Sequence, residues 1–147
     1  MNDGHALVAD ASALVYLLVD ASGVGEWVGG QILGKTVFAS DLVHFEVANQ
    51  LRVHERRGKI DTTTASLAFE DLMNMDIKTE PFSVLANRIW ELRANVTAYD
   101  ASYVALAEWR RIPLLTADIK LVNSPGPRCE FLTPPARLSP MLGRPVS

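Results

Sequence analysis

The chain has 147 residues, of which 48% are hydrophobic and 21% are charged. This is the composition of an ordinary globular protein, and the length suits a single domain. The formal net charge of −3 gives no overall attraction to nucleic acid, and the single cysteine, Cys129, excludes an intrachain disulfide or a thiolate metal cage. No apolar run approaches the roughly 18 residues of a membrane span, and no leader sequence opens the chain. We therefore expect a cytoplasmic protein without membrane contact.

The first part of the chain alternates short apolar runs with amphipathic segments, which predicts strands separated by helices. A strand over Ala6–Ala9 leads into a helix to about Val19, which Asp10 or Ser12 can cap. After a turn at residues 20–23, the predicted elements are a helix over Gly25–Leu33, a strand over Thr36–Ala39, and a helix over Leu42–Arg57 that Ser40 or Asp41 caps and Gly58 ends.

The same alternation continues through the second part. A helix that residues Asp61–Thr64 open runs to about Met75, and an extended piece follows around Ile77. Next come a helix that Ser83 caps and that runs to about Ala94, and a helix from Thr97 to about Arg111. The last predicted elements are a strand over Leu114–Thr116, a short turn at Lys120–Leu121 and a strand over Glu130–Leu132.

Strands that alternate with helices, each strand a short apolar run, predict an α/β fold with a central short parallel sheet flanked by helices on both faces. We assign residues 1–133 to this domain. Residues 134–147 contain Pro134, Pro135, Pro140 and Pro145 with little periodicity, which predicts a proline-rich C-terminal tail. In parallel sheets of this kind, ligands bind beyond the carboxyl ends of the strands.

Four carboxylates stand where a buried acidic cluster would need them. Asp10 and Asp118 each end a short apolar run, and so fall at the carboxyl edge of the predicted sheet. Asp100 shares a helix face with Tyr103, Val104 and Ala107, and Glu46 shares one with Leu42, Asn49 and Val53. Buried acids cost several kcal/mol each unless something neutralises them.

Each of these acids also has a structural explanation. Asp10 and Asp118 could cap helices, Asp100 stands at capping-box spacing from Thr97, and Glu46 could face solvent. If the four instead share one site, ligands that are all oxygen suit a hard cation, Mg²⁺ or Mn²⁺, which can activate a water for attack on a phosphodiester. Ser12 and Thr116, next to two of the acids, are either supporting hydroxyls of that site or helix caps.

The pattern as a whole resembles the PIN-domain ribonucleases, in particular the VapC toxins of toxin–antitoxin pairs. The matching residues are VADASAL at 8–14, Glu46 with Asn49 and Leu51, YDASYVALA at 99–107 and LTAD at 115–118. The strand near Phe131 fits the last strand of the family.

The resemblance implies a catalytic and metal-binding quartet of Asp10, Glu46, Asp100 and Asp118, supported by Ser12, Asn49 and Thr116. It also implies an endoribonuclease that needs Mg²⁺ or Mn²⁺ and cuts tRNA, rRNA or mRNA. Family members are commonly homodimers, inhibited by a VapB antitoxin that wraps the toxin, so we expect both partners here.

Two other functions are compatible with the sequence. One is a non-catalytic regulatory α/β domain with an acidic Mg²⁺ pocket, like a phosphorylation receiver. The other is a PIN nuclease that processes RNA without an antitoxin. A basic group at the end of the third predicted helix is interpreted either as cations favoured at a helix C-terminus or as a phosphate-contacting rim; it comprises Arg52, His54, Arg56, Arg57 and Lys59.

Overall fold

The computed structural model describes residues 4–21 and 23–138, and over these residues the chain forms one five-stranded sheet. The strands are β1 (Ala6–Ala9), β2 (Thr36–Ser40), β3 (Ile77–Glu80), β4 (Leu114–Leu115) and β5 (Phe131–Leu132). Their order in the sheet is β3-β2-β1-β4-β5, and every neighbouring pair is parallel. The predicted α/β fold with a short parallel sheet is confirmed.

The helices in the described residues form two groups. They are α1 (Ala11–Val19), α2 (Gly23–Ile32), α3 (Val43–Arg56), α4 (Thr62–Asn74), α5 (Phe82–Glu91), α6 (Ala98–Arg110) and α7 (Ile119–Val122). Helix α1 packs against α2, α3 and α4, whereas α5 packs against α6, which lies on β1, β2 and β4. Right-handed crossovers place the two groups on opposite faces of the sheet, because the chain reverses its direction across the sheet after β3.

The core lies where the central strands meet these helices. All four residues of β1 are buried, since this strand has a neighbour on each side and helices over both faces. Val8, Leu14, Val104 and Leu114 have no exposed surface. Because their residues are buried, the central strands β1 and β4 are continuous apolar runs in the sequence, and their positions could be predicted from it.

The strand order creates a crevice between β1 and β4. From β1 the chain moves outward to β2 and β3, and it returns to the other side of β1 to form β4 and β5. Loops that leave the carboxyl ends of β1 and β4 therefore diverge to opposite faces, and a crevice opens between them. Asp10 follows β1 directly, and Asp118 lies three residues beyond the end of β4.

Three local predictions are wrong. Helix α3 begins at Val43 after Leu42, without a side-chain cap, so neither Ser40 nor Asp41 caps it. Helix α5 begins at Phe82 behind Pro81 and ends at Glu91, so Ser83 does not cap it and it stops short of Ala94. Proline has its φ fixed near the value a helix needs, and here it precedes the first helical residue. The turn predicted at 120–121 is the short helix α7.

The corner between α1 and α2 depends on a glycine. A Cβ atom at Gly25 would lie 1.8 Å from the carbonyl oxygen of Asp20, so no other residue fits there without moving the backbone. Asp20 also accepts a hydrogen bond from the Gly25 N–H at 3.2 Å. No single helix among the described residues is long and apolar enough to cross a membrane; α1 and α2 meet such a criterion only when taken together as a bent pair.

The predicted C-terminal tail is described only in its first residues. Pro134 and Pro135 are half-buried, and Leu138 packs against the core. Pro140, Pro145 and the rest of residues 139–147 lie outside the described residues, as does Ser22 of the predicted turn. The boundary at residue 133 stays a prediction.

Candidate active site

Strand register aligns three polar residues at the carboxyl edge of the central strands. Asp10 follows β1, Ser40 ends β2 and Thr116 follows β4. The Asp10 N–H donates to the carbonyl of Leu115 at 3.1 Å, which carries the β1–β4 pairing one residue further. The exposed fractions of Asp10, Ser40 and Thr116 are 4%, 2% and 0%. A buried carboxylate therefore lies at this edge with a hydroxyl on each neighbouring strand.

Both oxygens of Asp10 accept hydrogen bonds. Oδ1 accepts from the Ser12 hydroxyl at 2.6 Å and from the Ala13 N–H at 3.0 Å, and Oδ2 accepts from the Thr116 hydroxyl. The bond to Ala13 makes Asp10 the N-cap of α1. Asp10 can therefore cap α1 and belong to the acidic site at the same time, because the bond that caps the helix occupies only part of its carboxylate.

Burial is the largest influence on the pKa of Asp10. It raises the pKa of this carboxyl from 3.8 to about 7, although the hydrogen bonds from Ser12, Thr116 and Ala13 lower it. The negative charge of Asp100 raises the pKa further. A carboxylate that is this reluctant to ionise is unusual for a purely structural cap and typical of a functional site.

The two hydroxyls beside Asp10 also join the ends of β1 and β4. Ser12 Oγ accepts from the Ala117 N–H at 3.0 Å, and Thr116 Oγ1 accepts from the Asp118 N–H at 3.0 Å. The two hydroxyl oxygens are 3.3 Å apart. Each hydroxyl thus donates to Asp10 and accepts from the loop after β4, which fixes the loop that carries Asp118.

Glu46 accepts a hydrogen bond from Tyr103, a residue that helical periodicity places on an apolar face of α6. The Tyr103 hydroxyl donates to Glu46 Oε1 at 2.6 Å, and the Tyr103 side chain is 1% exposed. Burial raises the pKa of Glu46, the bond from Tyr103 lowers it, and the charge of Asp100 raises it. Burial, followed by the Glu46 charge and hydrogen bond, raises the pKa of Tyr103, so this phenol stays protonated and donates.

Asp100 and Asp118 complete the acidic group. The predicted capping arrangement is present, because the Asp100 N–H donates to Thr97 Oγ1 at 3.2 Å. Burial and the charge of Asp118 raise the pKa of Asp100, while Thr97 and the cation of Lys120 lower it. Asp118 caps α7 through Oδ1, which accepts from the N–H groups of Lys120 and Leu121 at 3.0 and 3.4 Å.

Asp100 connects the four predicted acids electrostatically. Its charge acts on Asp10 and Glu46, and that of Asp118 acts on Asp100. Within residues 4–21 and 23–138, however, no three acid, histidine or cysteine side chains already converge as a set of metal ligands. The acids are close enough to repel one another, and Asp10, Glu46 and Asp118 each accept hydrogen bonds from the protein.

The donor chemistry fits a hard divalent cation. All four side chains offer carboxylate oxygens, the ligands that Mg²⁺ and Mn²⁺ prefer. In addition, the buried hydroxyl oxygen of Ser40 makes no hydrogen bond of normal geometry with any described residue. A bound cation and its waters would relieve the mutual repulsion of the carboxylates and could engage this hydroxyl oxygen.

The sequence also singles out residues farther along α3. Asn49 is exposed on α3 and forms no hydrogen bond with the site among the described residues. His54 is 2% exposed, so its burial removes it from a phosphate-contacting rim. The remaining basic residues at the end of α3 are exposed, as both interpretations of that group require; they are Arg52, Arg56, Arg57 and Lys59.

Two residues of the site, Tyr103 and Ser40, were not predicted from the sequence. A signal for the first was present, since Tyr103 lies three positions after Asp100 and its hydroxyl needs a partner when buried. For Ser40, the sequence indicates only a helix cap.

The PIN domain family matches residues 7–125, the range that contains the sheet edge and all four acids. The chain belongs to the PIN-domain family. This membership favours a nuclease over a receiver-like module, because the matched range includes every residue of the acidic site.

Several known proteins are similar along most of the chain. The VapC ribonuclease Mb0985 of Mycobacterium bovis is 33% identical over 129 residues, which cover 88% of this chain and 98% of that protein. The crystal structure of PAE2754 from Pyrobaculum aerophilum has a TM-score of 0.64 at 25% identity and covers 87% of this chain and 83% of the other. The crystal structure of VapBC2 from Rickettsia felis, bound to a DNA fragment from its promoter, has a TM-score of 0.61 at 14% identity. The match covers 88% of this chain and 99% of the other, and it shows that the two share a fold.

Proposed function

We propose that this PIN-domain protein is an endoribonuclease that depends on Mg²⁺ or Mn²⁺ and acts as the toxin of a toxin–antitoxin pair. The observation that carries the proposal is the buried Asp10 carboxylate at the carboxyl edge of the sheet, which the Ser12 and Thr116 hydroxyls bind. The charge of Asp100 acts on Asp10 and on Glu46, and that of Asp118 acts on Asp100. Similarity to VapC ribonucleases over 88% of the chain supports RNA as the substrate.

The same four carboxylates would hold the cation. When bound, it would supply positive charge that lowers the pKa of a water and offsets the charge that develops at the scissile phosphate. The Ser12 and Thr116 hydroxyls keep the Asp10 carboxylate oriented at the end of β1. Lys120 lies close enough to lower the pKa of Asp100, and it places a positive charge at the exposed side of the site, where a phosphate can approach.

We propose two protein partners, a VapB-type antitoxin and a second copy of this chain. Support for the dimer comes from large apolar side chains that α5 and α6 leave exposed, which is typical of a contact surface. Those on α5 are Phe82, Val84 and Trp90, and Trp109 on α6 is 54% exposed. Because its substrate would be cellular RNA, we place the active protein in the cytoplasm.

Cleavage of RNA tests the proposed activity. Purified chain, freed of any partner, is incubated with total cellular RNA in Mg²⁺ and in chelator, next to Asp10→Asn, Asp100→Asn and Asp118→Asn proteins. Asp71→Asn serves as the matched control, because Asp71 is exposed on α4. The proposal predicts discrete metal-dependent cuts by the wild type and the control, and intact RNA with the three site variants. Cleavage by all three site variants at the wild-type rate would overturn the assignment of the site.

A further inference from the structure

Tyr103 contributes a buried hydroxyl to the acidic group. Its side chain is 1% exposed, and its hydroxyl donates to Glu46 Oε1 at 2.6 Å across 57 positions of the chain. A buried phenol without a partner costs about 1–3 kcal/mol, so a phenylalanine would be the simpler core residue at this position. Packing alone does not require the hydroxyl here, and a phenylalanine could not make the bond to Glu46.

The orientation of the Glu46 carboxylate depends strongly on this one hydrogen bond. Asp10 and Asp118 each accept more than one hydrogen bond, so neither depends as much on a single donor. Asp10 accepts three hydrogen bonds and Asp118 accepts two, and each of these acids lies in a loop at a strand end. Glu46 extends from the first turn of α3 on a long side chain that loses substantial rotamer freedom when it is fixed. The Tyr103 hydroxyl engages Oε1, and the other oxygen of the carboxylate takes no part in that bond.

Helix α6 carries both Tyr103 and Asp100. The two residues are three positions apart and so lie one above the other on the same helix face. A bond from Tyr103 to Glu46 therefore joins the first turn of α3 to the helix that carries Asp100. Ser40, which is 2% exposed at the end of β2, lies close enough to lower the pKa of Tyr103.

We propose that Tyr103 is a positioning residue: its hydroxyl orients the Glu46 carboxylate toward the other acids and so sets the affinity of the site for a divalent cation. This inference rests on the proposed function, since it assumes that the acids hold a cation. Outer partners of metal ligands typically contribute 10- to 100-fold to affinity.

The test measures binding of Mn²⁺ to the full, metal-free chain by electron paramagnetic resonance of the free ion. Tyr103→Phe removes only the hydroxyl, and we expect it to weaken Mn²⁺ binding by about 10-fold or more. Tyr16→Phe is the matched control, because Tyr16 is also buried, at 3% exposed, but lies on α1. We expect the control to bind Mn²⁺ like the wild type, and urea unfolding in chelator to show both variants folded.

A double-mutant cycle with Glu46→Ala separates positioning from a general loss of structure. If Tyr103 acts through Glu46, Tyr103→Phe has no further effect on Mn²⁺ binding in the Glu46→Ala background. In cleavage assays with the Tyr103→Phe protein, saturating Mn²⁺ should restore kcat and leave KM for RNA unchanged.

Each outcome decides the inference. Wild-type affinity in Tyr103→Phe would overturn it, as would an equal loss in the presence and absence of the Glu46 carboxylate. A wild-type chain that binds no Mn²⁺ would overturn the proposed function and this inference with it, whereas a failure of Tyr103 alone would leave the proposed function standing.

Discussion

The Thr116 hydroxyl donates a hydrogen bond to Oδ2 of Asp10, although the two residues are 106 positions apart. Asp10 stands where β1 ends and Thr116 where β4 ends, so their contact exists only after the β1–β4 pair has formed. The same hydroxyl accepts from the Asp118 N–H at 3.0 Å. One threonine thus links two acids of the site to the parallel pairing at the centre of the sheet.

Replacing this threonine should weaken the fold and the site together. Thr116→Val keeps the shape but leaves the Asp10 oxygen and the Asp118 N–H without their partner, so we expect the free energy of unfolding to fall by about 1–3 kcal/mol. Urea unfolding measures the change. Thr79→Val on the exposed side of β3 is the matched control and should change stability by less than about 0.5 kcal/mol. Equal stability of Thr116→Val and wild type would contradict this role.

Stability without metal should rise as the pH falls. Burial raises the pKa of Asp10 from 3.8 to about 7, so the folded state binds this proton more tightly than the unfolded state does. The unfolding free energy therefore increases as the pH falls through about 7 toward 4, because the carboxyl is then protonated in the folded state and still ionised in the unfolded state. The lowered pKa of buried His54 acts in the opposite direction below its usual value of 6.5.

Comparison with Asp10→Asn isolates the aspartate from the histidine, because both proteins retain His54. In chelator, we expect the wild type to gain more stability than Asp10→Asn between about pH 8 and pH 5. Parallel pH profiles of the two proteins would show that Asp10 does not titrate in this range.

Divalent cations should stabilise the folded chain by mass action. Millimolar Mg²⁺ is expected to raise the Tm of the wild type, because the ion binds the folded acids and relieves their repulsion. Asp100→Asn should show a much smaller rise, since Asp100 interacts with the other acids. Differential scanning calorimetry with and without chelator measures both, and an equal rise in the two proteins would place the binding outside this site.

A second polar contact stabilises the fold away from the site. Arg88 Nε donates to Glu108 Oε1 at 2.7 Å, joining α5 to α6, and the Arg128 N–H donates to Glu108 Oε2 at 2.7 Å. The side chains of Arg88 and Glu108 are only 21% and 17% exposed. We expect Glu108→Gln to lower the unfolding free energy by about 1–3 kcal/mol and to leave Mn²⁺ binding unchanged.

The matched control for this pair is Glu91→Gln. Glu91 lies 3.5 Å from Arg88 and is 62% exposed, so its loss should cost less than about 1 kcal/mol. A larger destabilisation from Glu91→Gln than from Glu108→Gln would contradict the importance given to burial.

Sequence patterns could predict the fold because the central strands β1 and β4 are buried. The apolar runs that end at Asp10 and before Asp118 mark β1 and β4, and the carboxyl ends of parallel strands share one edge. Placing these acids at that edge thus requires only local information. Glu46 and Asp100 follow from helical periodicity, which puts each on a face with apolar neighbours.

Contacts across the fold could not be predicted in this way. Periodicity records Tyr103 as one more buried residue and does not reveal that its hydroxyl meets Glu46 57 positions earlier. Ser40 reads as a helix cap because serine favours that position, yet here it ends β2 in a buried place. The Ser83 cap was wrong for a similar reason, since Pro81 already precedes the first residue of α5.

The most direct measurement locates the metal. Crystals of the full chain are soaked in Mn²⁺, and anomalous diffraction maps the bound ions. We expect an anomalous peak between Asp10, Glu46, Asp100 and Asp118 in wild-type crystals, and no such peak in Asp10→Asn crystals. Mn²⁺ bound only outside this acidic group, in crystals whose site is open to solvent, would contradict the claim that these four carboxylates form the catalytic metal site.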